Sequence, residues 1–185
     1  MKSHARVVVI GGGVVGVGTL YHLAKKGWSD VVLLERKELT SGSTWHAAGL
    51  LPLFNMSYSV GQVHKYSVRF YQELQEETGM NVGFKKVSNI RLAMNRDRMD
   101  EYHQYAGVAQ TLGVQVNFLT PQQVKEIWPL CNIEGLVGAI QHPEDGYIQP
   151  ADLTQGIAEL VGHQKVNYSI SMERGKPAAS GLSPA

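Results

Sequence analysis

The apolar positions of this chain first follow a strand, then a helix, then a strand again. Residues 6–10 form a short β-branched run, the pattern of a parallel strand buried on both faces. After Gly11-Gly12-Gly13, the residues Val17, Leu20, Tyr21 and Ala24 recur at helical spacing. That spacing predicts a helix over 14–26 with Gly27 as its stop. A second buried strand follows at 31–34 and is closed by Glu35. The three elements make one βαβ unit of about 30 residues, the usual size.

Farther along the periods are mixed. Residues 36–55 are rich in Ser, Thr, Gly and Ala and read as an ordered loop with a short helix near Ala47. A helix is expected over 57–78, with Val60, Val63, Tyr66, Phe70 and Leu74 on one face. Short strands follow near 83–87 and 89–94, then a helix over 97–112 bounded by Gly113 and an alternating strand at 114–119. Thr120-Pro121 opens a further helix, Thr120 as cap and Pro121 in the first turn. A strand at 136–141, a turn over 142–147 and a helix at 152–161 complete the patterned part. From His163 the chain is polar, and 174–185 is Gly, Pro, Ser and Ala, so 163–185 is expected to be a divergent or disordered tail.

Composition narrows the function classes. A chain of 185 residues, 43% hydrophobic, suits one globular domain or one and part of another. With 17 basic against 16 acidic residues the net charge is +1, which gives no field for nucleic acid. The single cysteine, Cys131, excludes an intrachain disulfide framework and reads as a small buried hydrophobe. His4, His22, His46, His64, His103, His142 and His163 show no metal-ligand spacing, so no metal site is expected. His64, His103 and His142 read as surface or satisfied histidines. Arg91, between Ile90 and Leu92, suits a structural ion pair or the carboxylate of a substrate. No apolar stretch approaches a membrane span. Residues 1–6 run straight into the first strand without a targeting pattern, so a cytoplasmic location is expected, or the mitochondrial matrix for a processed chain.

Gly11-x-Gly13-x-x-Gly16 lies between the first strand and its helix, with Glu35 about 20 residues on. Gly11 permits the tight turn, Gly13 lets a pyrophosphate approach the backbone, and Gly16 lets helix and strand pack closely. The N–H groups of Val14 and Val15 would then face the phosphates, with the helix dipole behind them. Glu35 would accept from ribose hydroxyls with Arg36 beside it, and its charge disfavours the 2′-phosphate of NADP. This fingerprint specifies a dinucleotide and leaves NAD and FAD both open.

The segment that follows is Gly42, Ser43, Thr44, Trp45, His46, Ala47, Ala48, Gly49 and Leu50. Its small and hydroxylated residues offer N–H and O–H donors to a flat polar ligand, and Trp45 offers apolar surface. His46 is either an ordinary loop histidine or a nucleophile toward the 8α-methyl group of a flavin. Histidine suits the second role because its ordinary pKa leaves much of it neutral at cellular pH.

The run over 6–150 resembles the N-terminal part of the dimethylglycine and sarcosine dehydrogenases, FAD-dependent amine oxidoreductases of the glycine-oxidase-like group. The resemblance rests on Val9-Ile10-Gly11-Gly12-Gly13, Tyr21-His22-Leu23-Ala24-Lys25, Val32-Leu33-Leu34-Glu35-Arg36, and above all the run from Leu39 to Leu50. Glu76-Glu77-Thr78-Gly79 and Ile148-x-Pro150 add to it. It implies FAD, covalent through His46, with further contacts from Val14, Val15, Glu35, Arg36 and Gly42 to Leu50. It implies oxidation of an N-methyl amine by hydride transfer to the flavin, giving an iminium that water hydrolyses or folate traps.

The implied fold is α/β: a parallel, Rossmann-like FAD domain with part of an inserted α+β substrate domain. The expected division is 1–54 for the βαβ unit and flavin loop, 55–149 for the partial substrate domain, and 150–162 for a return helix. The resemblance fades near Thr154, and family members run several hundred residues longer. A truncated form is therefore expected, lacking the last FAD-domain strands, most of the substrate domain and any folate-binding C-terminal region. No catalytic residue is assigned within the chain. A non-catalytic flavin-binding or regulatory module of the same family stands as the alternative.

Overall fold

The structure, a computed structural model, describes residues 4–163. The tail expected over 163–185 lies, apart from His163, outside the described residues. Two compact units emerge: one holds the chain up to Gly49, Tyr71–Gly83 and the chain from Ile148 on; the other holds Leu50–Phe70 and Phe84–Tyr147.

In the first unit, β1 (Val7–Ile10) and β2 (Val31–Leu34) are parallel, in register from Val7 opposite Val31 to Ile10 opposite Leu34. Between them runs α1 (Val14–Lys25), which buries Val17, Leu20 and Tyr21. The helix α5 (Pro150–His163) packs on α1 and buries Leu153, Ile157, Leu160 and Val161. It starts at Pro150 because proline fits the first helical turn, where no N–H is needed.

One expectation fails here. The first strand is not buried on both faces: Val8 is 50% and Ile10 84% exposed. Successive strand side chains alternate between faces. Val9 points toward α1, since a Cβ built on Gly16 would lie 3.6 Å from it. Val8 and Ile10 therefore point the other way.

The second unit is built on an antiparallel sheet of order β5-β7-β6: β5 (Asn89–Ala93), β7 (Gly138–His142) and β6 (Asn117–Leu119). A smaller sheet orders β3 (Leu50–Leu51), β8 (Gly146–Tyr147) and β4 (Lys85–Lys86) as β3-β8-β4. The helix α3 (Arg96–Leu112) is capped by Asn95, whose Oδ1 accepts from the Arg98 N–H at 2.8 Å. Gly113 closes it in the left-handed conformation, φ 64°. The helix α4 (Pro121–Ile127) begins with the expected Thr120 cap, strengthened into a capping box by Gln123.

Alternation along β5 splits the core in two. Ala93 joins Leu53, Tyr102, Tyr105, Leu112 and Ile140. Ile90 and Leu92 pack on the cluster of Val124, Cys131, Leu136 and Ala139. Cys131 is thus a buried hydrophobe, as its sequence context suggests.

The long helix α2 (Tyr58–Thr78) departs from its expected face. Phe70 and Leu74 are buried, but Val60, Val63 and Tyr66 are exposed. In the N-terminal half the close approach is made by Gly61 instead, where a Cβ would stand 2.4 Å from Leu112. A glycine contact carries no hydrophobic signal, so the pattern points to the wrong face. Among the described residues no helix is long and apolar enough to cross a membrane.

Candidate dinucleotide-binding site

The glycine turn follows from local sterics. Gly11 has φ 111°, open to glycine but strained for other residues, and its N–H donates to the Leu34 carbonyl at 2.8 Å. A Cβ on Gly16 would stand 1.9 Å from the Gly11 carbonyl oxygen, so only glycine lets α1 start this close to β1. Glu35 closes the far side. Its Oε2 accepts from the Gly12 N–H at 2.6 Å and its Oε1 from the Lys37 N–H at 2.9 Å. Partial burial pushes this carboxyl up. The backbone N–H groups of Gly12, Lys37 and Arg36 and the Arg36 charge outweigh it and hold it below the usual carboxylate value. A fixed, ionised acceptor thus stands at the end of β2, with Arg36 exposed beside it.

The start of α1 differs from the expectation. The Val14 N–H donates to the Thr44 hydroxyl at 3.0 Å rather than facing outward. A Cβ on Gly13 would stand 2.8 Å from the same Thr44 oxygen, so Gly13 makes room for a side chain of the following loop. Val15 and Gly16 keep N–H groups that no helical carbonyl can reach. Those two amides and the helix dipole remain for an anion.

The loop itself is built around two threonines. Thr40 is buried with φ 72°; its N–H donates to the Gly12 carbonyl at 3.0 Å, and its carbonyl accepts from Trp45 at 3.1 Å. Ser43–His46 forms a single 3₁₀ turn, closer to the glycine turn than the helix expected near Ala47. Thr44 is buried, whereas Gly42, Ser43, Trp45, His46, Ala47 and Ala48 are exposed, Trp45 by 69%. Gly49 ends the loop at φ 72°, where a Cβ would lie 2.0 Å from the Ile148 carbonyl oxygen. The Ile148 N–H donates to the Gly49 carbonyl at 2.8 Å. Leu50 opens β3 of the second unit, opposite Tyr147.

Gly11, Gly13, Val14, Val15, Gly16, Glu35, Arg36 and the run from Gly42 to Gly49 therefore all lie in the first unit. Sequence reasoning missed three positions. Gly12 joins Glu35 to Thr40, Thr40 carries the loop across the turn, and Ile148 fastens its end. None was assigned a role, although Gly12 lies in Gly11-Gly12-Gly13, Thr40 in the run from Leu39 to Leu50, and Ile148 in Ile148-x-Pro150. The residues fit a dinucleotide. Built Cβ atoms on Gly11 and Gly42 meet nothing within 4 Å, so both faces are open, and donor amides and a carboxylate acceptor flank them.

The second unit holds a different constellation. The Arg91 guanidinium lies 4.2 Å from the Phe54 ring centroid, a cation–π contact rather than the expected ion pair. Tyr105 donates to the Leu53 carbonyl and meets His142 Nε2, both at 3.2 Å. Asp145 Oδ1 accepts from the Leu53 N–H at 2.9 Å. Of the two readings for His142, surface or satisfied, the structure excludes the first and gives half of the second: it is fully buried, with Nε2 partnered by Tyr105 and Nδ1 lacking a hydrogen-bond partner. Burial, helped by the Arg91 charge, pushes His142 down to about 4. Burial raises Asp145 to about 6 against the pull of the Leu53 N–H, Arg91 and His64. Burial and the Asp145 charge lift Tyr105 to about 12. Elsewhere in this unit His64 Nδ1 lies 3.1 Å from the Pro52 carbonyl oxygen, and His103 stacks on Phe118.

A parallel βαβ unit, a glycine turn, an ionised acid at the second strand and a docked loop together define a dinucleotide-binding α/β protein. More narrowly, the chain belongs to the FAD dependent oxidoreductase family (DAO), which it matches over residues 6–168. It is 40% identical over 179 residues to dimethylglycine dehydrogenase, mitochondrial, of Rattus norvegicus, covering 97% of this chain and 20% of that protein. Sarcosine dehydrogenase, mitochondrial, of Homo sapiens is 43% identical over 152 residues, 82% of this chain and 17% of that one. The chain thus spans about a fifth of the length of these relatives. Among solved structures, L-proline dehydrogenase from P. horikoshii superposes with a TM-score of 0.83 at 27% identity, over 91% of this chain and 44% of that one.

Proposed function

We propose that this chain holds FAD for the oxidation of N-methyl amines such as dimethylglycine or sarcosine, with the flavin attached through His46. The observation that carries the reading is the loop. His46 is exposed on a turn whose one buried side chain, Thr44, is bonded to the start of the phosphate-binding helix. The Val15 and Gly16 amides receive the pyrophosphate. Glu35 accepts from the ribose with Arg36 at its side, and Gly42 to Leu50 line the flavin. FAD supplies the hydride acceptor; the chain's own groups bind it and set its orientation.

The substrate class comes from the printed names of the relatives. Folate as a one-carbon acceptor rests on the part of those relatives that this chain does not span. Of the two locations read from the sequence, the mitochondrial names of the relatives favour the matrix over the cytoplasm.

The test is a titration of the purified 185-residue chain with FAD and with ADP, followed by the fluorescence of its tryptophans. Saturable binding of both supports the reading. No binding of either contradicts it.

A further inference from the structure

The loop that bears His46 is pinned to the glycine turn at two points. The Thr40 N–H donates to the Gly12 carbonyl at 3.0 Å, and the Thr44 hydroxyl accepts the Val14 N–H at 3.0 Å. Thr44 is the buried residue of the run from Ser41 to Ala48, 7% exposed, and every neighbour in that run is exposed. Gly13 is shaped to it, since a Cβ there would stand 2.8 Å from the Thr44 oxygen. The Ala47 N–H returns to the Thr44 carbonyl at 3.2 Å, so the turn carrying Trp45 and His46 closes on the same residue.

A hydroxyl accepts with its oxygen and keeps one O–H to donate. A threonine that accepts from Val14 therefore still has a proton to offer an anion arriving at the first turn of α1. Val15 and Gly16 present their own N–H groups in that turn. One side chain thus touches the phosphate end of the site and fixes the backbone two residues before His46.

We propose that Thr44 is a positioning residue that couples occupancy of the phosphate site to the order of the Ser43–His46 turn, an inference that rests on the flavin reading above. Phosphate binding then stiffens the histidine loop before any flavin ring is present. The site need not be filled by the whole cofactor to prepare its attachment point.

Hydrogen exchange of the 185-residue chain, with ADP as the probe, tests this. ADP carries the pyrophosphate and ribose but no flavin ring. In the unsubstituted chain, ADP slows exchange in peptides spanning 41–48. In Thr44→Val, exchange there speeds up by about fivefold without ligand, the loss of one ordinary hydrogen bond. In that variant ADP binds more weakly, having lost a donor to its phosphates, and at saturating concentration it no longer protects the loop. Thr44→Ser keeps both the slow exchange and the ADP response. The coupling is overturned if ADP binds the unsubstituted chain and leaves 41–48 unprotected, which spares the dinucleotide reading. It is also overturned if Thr44→Val responds like the unsubstituted chain, or if Thr44→Ser behaves like Thr44→Val. Failure of the unsubstituted chain to bind ADP overturns both.

Discussion

The two units use polar groups in opposite ways. In the first, the groups assigned to the cofactor, apart from the buried Thr44, are exposed or half-buried, and backbone holds them: Gly12 and Lys37 N–H on Glu35, Val14 N–H on Thr44. In the second, Tyr105, His142 and Asp145 are nearly or wholly buried and bracket the peptide groups of Leu53. Among the described residues the large pKa displacements all fall in the second unit. Perturbed groups are candidates for function. Here the first cause of each displacement is burial itself, and the hydrogen bonds that Tyr105, His142 Nε2 and Asp145 Oδ1 make go to one another or to Leu53, while His142 Nδ1 and Asp145 Oδ2 have no partner. The candidate cofactor site instead relies on fixed amides and glycine sterics, whose one trace in a titration is the lowered Glu35.

The comparison can be broken most severely at Gly16. Gly16→Ala places a methyl 1.9 Å from the Gly11 carbonyl oxygen and is expected to cost about 2–4 kcal/mol of stability and to abolish ADP binding. Gly18→Ala, two residues on, meets nothing within 4 Å and lies inside the helix, so it should instead stabilise by up to about 1 kcal/mol. Thermal unfolding with and without ADP separates the two. Equal effects would remove the steric account of the fingerprint.

The next effect is a pH dependence carried mainly by the second unit, where the displacements are largest. Asp145 has a folded pKa of about 6, above its ordinary 3.8. Its favourable contribution is therefore full below about 3.8 and disappears as pH rises through 6, a swing of about 3 kcal/mol. His142, lowered from 6.5 to about 4, behaves in reverse. Its contribution is present above 6.5 and disappears as pH falls through 4. Relative to the unsubstituted chain, Asp145→Asn should gain stability between pH 4 and 7, and His142→Gln should gain as pH falls from 7 to 4. Denaturant midpoints across that range check both signs. Parallel curves would mean that these groups are not desolvated as described.

The smallest expected change is at a helix cap. Thr120→Ala removes the acceptor for the Gln123 N–H and should cost about 1 kcal/mol in denaturant unfolding. ADP affinity should not move, because the cap belongs to the second unit and the dinucleotide residues to the first. A loss of affinity with this variant would blur the division drawn between them.

Much of the fold was legible because local signals agreed. The β-branched runs, the glycine turn and the Thr120-Pro121 cap each state their structure within a few residues, and all formed. The site was legible as a list of residues but not as a set of bonds. Val14 donates to a threonine thirty positions away, and neither partner marks the other in sequence. Thr40 adopts a left-handed backbone that a β-branched residue does not advertise. Ile10 and α2 misled for a related reason. An apolar residue signals burial in general, whereas exposure depends on which face its neighbours cover. Whether His142 would be a surface or a satisfied histidine was not legible, because its surroundings, Phe54 and Tyr105, come from distant segments.

The central claim is that the first unit holds FAD through His46, and the most direct measurement is the mass of the chain after denaturation. The protein, produced with flavin available, is unfolded in acid, freed of small molecules and weighed intact beside His46→Ala. The account predicts a flavin adduct on the unsubstituted chain, mapped to the peptide bearing His46, and none on the variant, which still folds and binds ADP. An unmodified chain, or an adduct that persists in His46→Ala, would contradict it.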